Sequence, residues 1–380
     1  MIKCRKLKFF CCLLLLIGGC VEEYELPETA TDLKLLVVDG NINLDDKIAV
    51  VKLSRTQDLV VADQEPVQEH GAQVSIEDES GQRFQLKENP IQEGRYTGYN
   101  ASWAYNKKYK LHIKTSQGKE YQSEFVSTHK TPAIDSLTWS VEGGKVILAA
   151  NTHDSANKTR YYKWEYVETY EYKSYMESAF MYTGNWILVL RPSSSQIYTC
   201  WATTPSTTIL VGSSAHLAKD IIAHYPLVIH EGDGDRFGIK FSLLVHQYAI
   251  SKGEFDYWTM LRKNTESVGS LFDAQPSYVT GNVSSVKNLD EPVFGYFSAR
   301  SRSSKRVFIE AKELKKWGFK PKWPECRIFE AAGEPIPSNM NVVSAEINPT
   351  TGRAFPTLLA TKECTDCRLK GGDTRRPDFW

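Results

Sequence analysis

From Leu33 to about Thr131, apolar and polar residues alternate in short stretches separated by turn residues. LKLLVVDGNI, KIAVVKLSRT, AQVSIED, QRFQLK, EGRYTGY, KKYKLHIKT and KEYQSEFV each read as a strand. In YKLHIKT, Tyr109, Leu111 and Ile113 point one way while Lys110, His112 and Lys114 point the other. That period of two marks a strand with one buried face. Ser80-Gly81 and Gln117-Gly118 supply hairpin-sized turns within the run. So many short strands in about a hundred residues predict an immunoglobulin-like β-sandwich over 33–131.

HKTPAIDSLTW, at 129–139, reads as a joint, because Pro132 disfavours continued strand pairing. The pattern beyond it predicts a larger β-rich domain over 132–380. Its strongest segment is RYYKWEYVETYEYK, 160–173. Tyr162, Trp164, Tyr166, Tyr170 and Tyr172 fall on one face of a long strand, interrupted by Glu168, with mostly polar residues on the other face. Such a row serves either as a core face or as a stacking platform for a ligand or partner. SYMESAFMYTGNWILVL continues the aromatic bias over 174–190 and reads as an interaction loop.

SKGEFDYWTMLRKNTES opens with Ser251 and carries Glu254 three residues later, a capping-box pattern. Phe255, Trp258 and Leu261 follow at helical spacing, so one amphipathic helix is expected near 251–266. SYVTGNVSSV, EPVFGYFSARS and KRVFIEA are three further strand-like segments. Residues 311–362 have more Pro and Gly and little period, and read as connecting loops.

The N-terminus adds a location. Lys3, Arg5, Lys6 and Lys8 precede an apolar run from Phe9 to Ile17, closed by Gly18-Gly19-Cys20. The run is too short for a bilayer span, which takes about 20 residues, so 1–19 reads as a signal peptide. Ile17-Gly18-Gly19-Cys20 resembles the lipobox of bacterial lipoproteins, in which the cysteine is acylated and becomes the new N-terminus. Cys20 is therefore the expected lipidation site, and acyl chains on it would hold the protein at a membrane. VEEYELPETATD then makes 20–32 an acidic tether. Acidic residues behind the lipidated cysteine resemble an export signal for the outer face of the outer membrane.

The full chain balances 46 basic against 46 acidic residues. Removing 1–19 takes away four basic residues and no acidic one, which leaves 42 against 46. That balance gives no reason to expect nucleic-acid binding.

Three segments together carry a family resemblance: FSLLVHQYAISKGEFDYWTMLRKNTESVGSLFDAQPSYVTGNV, EPVFGYFSA and CTDCRLKGGDTRRPDFW. They resemble the Bacteroidota outer-membrane lipoproteins classed as domain of unknown function 4249 (DUF4249). The resemblance implies a lipoprotein whose gene often lies beside that of a TonB-dependent receptor, and it implies no catalytic residues.

The sequence contains no G-x-S-x-G nucleophile motif and no phosphate-cradling G-x-x-x-x-G-K-[ST] loop. In HEGDGDR, His230, Glu231, Asp233 and Asp235 offer donors that resemble part of a calcium loop. The segment lacks an EF-hand's final glutamate and has no second histidine at H-E-x-x-H spacing, so it reads as a solvated turn. Arg300-Ser301-Arg302 with Lys305-Arg306 reads likewise as a solvated basic hairpin. No cofactor and no metal is expected.

With Cys4, Cys11 and Cys12 removed and Cys20 acylated, Cys200, Cys326, Cys364 and Cys367 remain. An even number in an oxidising compartment predicts disulfides rather than a Cys364-x-x-Cys367 metal or redox site. Three pairings are open. Phe379-Trp380 is expected to plug an apolar site at the end of the tail.

These readings converge on a non-enzymatic, lipid-anchored surface protein that is the accessory or substrate-binding partner of a TonB-dependent transporter. An adhesin or envelope scaffold with protein partners only is the first alternative, and a hydrolase without a recognisable motif is the second.

Overall fold

The computed structural model describes residues 34–57, 66–184, 187–266, 279–332 and 335–380. The expected signal peptide at 1–19, the expected lipidation site Cys20 and the expected tether at 20–32 lie outside these residues. The chain is mainly β, built from two successive sandwiches and a small disulfide-linked terminal unit.

In the first sandwich, the strands Leu36–Asn43, Ile48–Arg55 and Arg95–Tyr99 lie on one layer. Gln73–Asp78, Lys108–Lys114 and Glu120–Ser123 lie on the other. Alternate residues point inward, so Leu36, Val38, Ile42, Val51, Leu53, Val74, Ile76, Leu111 and Ile113 share one core. The layers join along one edge through Val126–His129, which gives the sheet a nearly barrel-like course.

This sandwich is not closed by 33–131 alone. Phe294–Arg300 inserts parallel to both Leu36–Asn43 and Val126–His129, and its Phe297 and Ala299 enter the same core. Val283–Ser285 adds beside Glu120–Ser123. The boundary expected at 131 therefore marks where the chain first leaves the sandwich, to which it later returns. Two glycines allow that return. A Cβ on Gly281 would lie 1.5 Å from the Gly295 carbonyl oxygen. One on Gly295, which has φ +102°, would lie 1.8 Å from the Val38 carbonyl oxygen. Between them, Asn282 brackets the Phe297 peptide, accepting from its N–H and donating to its carbonyl, each at 2.8 Å.

The second sandwich packs Ile134–Glu142, Lys145–His153 and Ile221–Glu231 against a sheet centred on the aromatic strand, Tyr161–Lys173. One edge of that strand serves two shorter partners end to end, Leu210–Ser213 and Thr199–Pro205. Its other edge pairs Lys240–Ala249 over ten residues, and Ser303–Glu310 completes the sheet.

The helix Lys252–Glu266 follows directly, within the span expected. Ser251 Oγ accepts from Glu254 N at 3.1 Å, which is half of the expected capping box. The Glu254 carboxylate does not reach back. It pairs with Arg300 and accepts from Trp258 Nε1, and both Glu254 and Arg300 are buried. Arg300 is therefore not part of a solvated basic hairpin. Its guanidinium stacks on Tyr248 at 4.7 Å and fastens the inserted strand to the helix start.

Residues 311–362 also depart from expectation. Ile328–Glu330, Met340–Ile347 and Ala354–Thr361 form a three-stranded antiparallel sheet. Its period is hard to read because the pairing slips twice and Pro356 sits at the second slip, where a missing N–H is tolerated. The hairpin Phe180–Tyr182 with Leu188–Leu190 packs on this sheet, so part of the predicted interaction loop is structured.

Candidate functional site

The aromatic strand is a core element. Tyr162 and Trp164 have no exposed surface, and Tyr172 is buried. Trp164 stacks between Tyr162, at 5.7 Å, and Tyr225, at 4.4 Å, and donates to Gln247 Oε1 at 2.9 Å. The same Gln247 donates to Pro132 O and Thr152 Oγ1, so the indole N–H is satisfied inside a joint between strands. Tyr166 and Tyr170 are half-buried against the same core. The stacking-platform reading therefore fails for Tyr162, Trp164 and Tyr172. A long strand between two neighbouring strands buries its inward face whatever polar tips its rings carry.

Glu168, which interrupts the row, is buried as well. Its two oxygens meet His230 Nε2 at 2.6 Å and Arg236 Nε at 3.1 Å. Burial alone pushes this carboxyl upward, and the hydrogen bonds and charges of His230 and Arg236 outweigh it, leaving the pKa below its ordinary value. HEGDGDR is thus joined to the aromatic strand. Asp235 pairs with Lys370 at 2.8 Å, and Asp233 accepts from Lys320 N. The donors diverge, and no group of three metal-ligating side chains is gathered among the described residues.

The cysteines form two bridges, Cys200–Cys367 and Cys326–Cys364. The C-x-x-C is not closed on itself; each of its sulfurs ties the tail to a different element. Cys200 and Cys367 are fully buried beside Tyr172, whose hydroxyl donates to Cys367 O at 2.7 Å. A Cβ on Gly372 would lie 2.4 Å from that hydroxyl oxygen, so the glycine lets the tail cross the ring. Trp201 and Asp373 exchange backbone hydrogen bonds and hold the strap down. Phe379 and Trp380 do not form an apolar plug. Phe379 is 42% exposed and lies 3.6 Å from the Arg306 guanidinium, and Trp380 covers Lys240 and donates to Glu171.

An open, mainly apolar groove of about 790 Å³ lies in the terminal unit. One wall comes from Phe180, Met181 and Tyr182 of the hairpin, and the other from Ile336, Met340 and Val342. Pro335 and Pro337 complete it, with the cations Arg191 and Lys362. Volume and lining are those of a ligand site. The disulfides fix its neighbourhood, since Cys364 lies two residues past Lys362 and Met176 N donates to Cys364 O at 2.9 Å. Ser178 Oγ donates to Val342 O at 2.9 Å and ties the two walls together. The sequence bias over 174–190 points at one wall. The other wall falls in the segment read as loops, and nothing in the pattern singles out Arg191 or Lys362.

A second cleft, of about 350 Å³, lies where the first sandwich meets the helix and is lined by Glu254, Arg300, Tyr296 and His129. Burial holds the His129 imidazole below its ordinary pKa. This cleft mixes polar and apolar walls in about equal measure, and its buried charges, Glu254 and Arg300, are paired with each other.

Among curated proteins, none matches this chain. Among solved structures, it is similar to one described as "Biofilm associated protein - BSP domain", with 10% identity over 91% of this chain and 79% of that one. Their TM-score of 0.11 is too low to carry an argument. The family model described as "Domain of unknown function (DUF4249)" matches residues 21–306. That span covers the first sandwich, the hairpin wall of the groove and the second sandwich up to the middle of its last strand, Ser303–Glu310, and stops before the three-stranded sheet and the cysteine tail. By this match, the chain belongs to the DUF4249 family.

Proposed function

We propose that this chain is a non-enzymatic lipoprotein, anchored through Cys20 in the outer membrane and facing the cell exterior, where it serves as the accessory or substrate-binding partner of a TonB-dependent transporter. The observation that carries the binding role is the apolar groove, tied to the Cys326–Cys364 bridge on a β scaffold. Binding surfaces are commonly placed on loops and hairpins that such a scaffold positions. The disulfides support an extracytoplasmic location, and the basic, apolar, Gly-Gly-Cys20 order supports the anchor. The buried carboxylates of Glu168 and Glu254 are each engaged by cations, which suits a structural role better than proton transfer.

A protein-only scaffold is the second reading. It is favoured by the exposed apolar residues around the same unit, Leu190 at 71%, Ile328 at 53% and Ile347 at 71%. One experiment separates the two. A tag placed in the turn at Ile91, which is 90% exposed, leaves the docked C-terminus untouched. Capture from native envelopes in mild detergent should recover a transporter barrel, and Met181→Glu in the groove should abolish that recovery. Recovery of other envelope proteins without a barrel favours the scaffold.

A further inference from the structure

We propose that the groove of the terminal unit binds an aliphatic chain ending in a carboxylate, such as a fatty-acid anion. This rests on the binding role proposed above and names its ligand class.

The argument begins with what the walls offer a ligand. Phe180, Met181, Ile336, Met340 and Val342 present apolar side chains, and methionines adapt readily to a flexible chain. Several main-chain and amide groups in the lining are already engaged. Pro335 and Pro337 have no N–H. The Phe180 carbonyl accepts from Arg191 and from Ser178 Oγ, and Asn341 Nδ2 donates to Thr365 Oγ1. An extended peptide would bury polar groups here without partners, at a cost of a few kcal/mol each. An alkyl chain makes no such demand.

Charge then fixes the head group. Arg191 and Lys362 both line the groove, and among the described residues the lining has no acidic side chain. Arg191 donates only to neutral acceptors: Ser178 O at 2.9 Å, Ser178 Oγ at 3.1 Å, Phe180 O at 3.2 Å and Ser195 O at 3.3 Å. Lys362 is half-buried, and among the described residues its ammonium has no ion-pair or hydrogen-bond partner. A lysine ammonium with no partner among the described residues, on a residue that lines apolar walls, is complementary to an anion carried on an apolar chain. The lysine contributes a point charge, and the walls contribute area.

The test is calorimetric titration of the full chain carrying Cys20→Ser, so that no acyl group of its own competes. The probes are dodecanoate below its micellar concentration, 1-dodecanol, dodecylammonium and an apolar peptide with blocked ends. Dodecanoate should bind saturably and more tightly than the other three. Lys362→Met should weaken dodecanoate about fivefold, within the range of partly exposed ion pairs, and leave dodecanol unchanged. Met181→Glu should weaken both, with thermal melts reporting whether each variant is folded. Equal binding of dodecanoate and dodecanol, indifference to Lys362→Met, or preference for the peptide overturns the assignment. Absence of dodecanoate binding with Met181-dependent transporter capture intact overturns the ligand class and leaves the transporter role standing. Dodecanoate binding with no transporter recovered does the reverse.

Discussion

Glu168 shows how one side chain sets a local energy balance. It lies in a row of rings where a carboxylate is costly, and His230 and Arg236 make it tolerable by meeting both oxygens. Glu168→Gln should destabilise the fold at neutral pH by about 1.5–3 kcal/mol, the range for hydrogen bonds to charged groups. Because the folded carboxyl titrates below its ordinary value of 4.5, its stabilisation is fully present above that value and is lost as pH falls through the folded pKa. Denaturant titrations of both proteins should therefore show a gap at pH 7 that narrows on acidification below 4.5. A gap independent of pH contradicts the ion-pair account. Trp164, stacked between two tyrosines with its N–H satisfied, is the core's largest commitment in this strand. Trp164→Ala should cost about 3–5 kcal/mol by the same measurement.

At the scale of elements, strands with one buried face and the helix were the readable parts. YKLHIKT alternates because one side of Lys108–Lys114 is core and the other is solvent. The aromatic strand was legible as a strand, but its face was not, since the same rings suit a core or a platform until the neighbouring strands are known. Arg300 was misread because its partner Glu254 lies 46 residues away, and no local spacing reveals such a pair. The terminal sheet was missed because its pairing slips at Pro356 and few of its side chains are buried. The cysteine pairing was likewise open until the fold placed Cys200 beside Cys367, with Cα atoms 5.7 Å apart. The bridges close loops of 167 and 38 residues. Paired Cys→Ser substitutions should therefore cost about 5 kcal/mol for Cys200–Cys367 and about 4 kcal/mol for Cys326–Cys364 on chain-entropy grounds. Equilibrium unfolding that reverses this order means that local packing, and not loop closure, dominates.

At the scale of the whole molecule, the inserted strand makes the first sandwich depend on residues far along the chain, so the two sandwiches share one strand path. The helix start, with Glu254 and Arg300, fastens that path at the joint. The groove sits on the terminal unit, separate from this joint, on a part of the molecule braced by disulfides. The anchor proposed at Cys20, together with a groove braced by a disulfide, suits a protein that holds something for a membrane partner. The most direct measurement is photo-cross-linking in intact cells, with a photoreactive residue at Met181 in the groove or, as control, at Leu289, which is 80% exposed on the first sandwich. An adduct between the Met181 probe and a TonB-dependent outer-membrane barrel, with none from Leu289, is the predicted result. No barrel adduct from Met181, or equal adducts from both positions, contradicts the account.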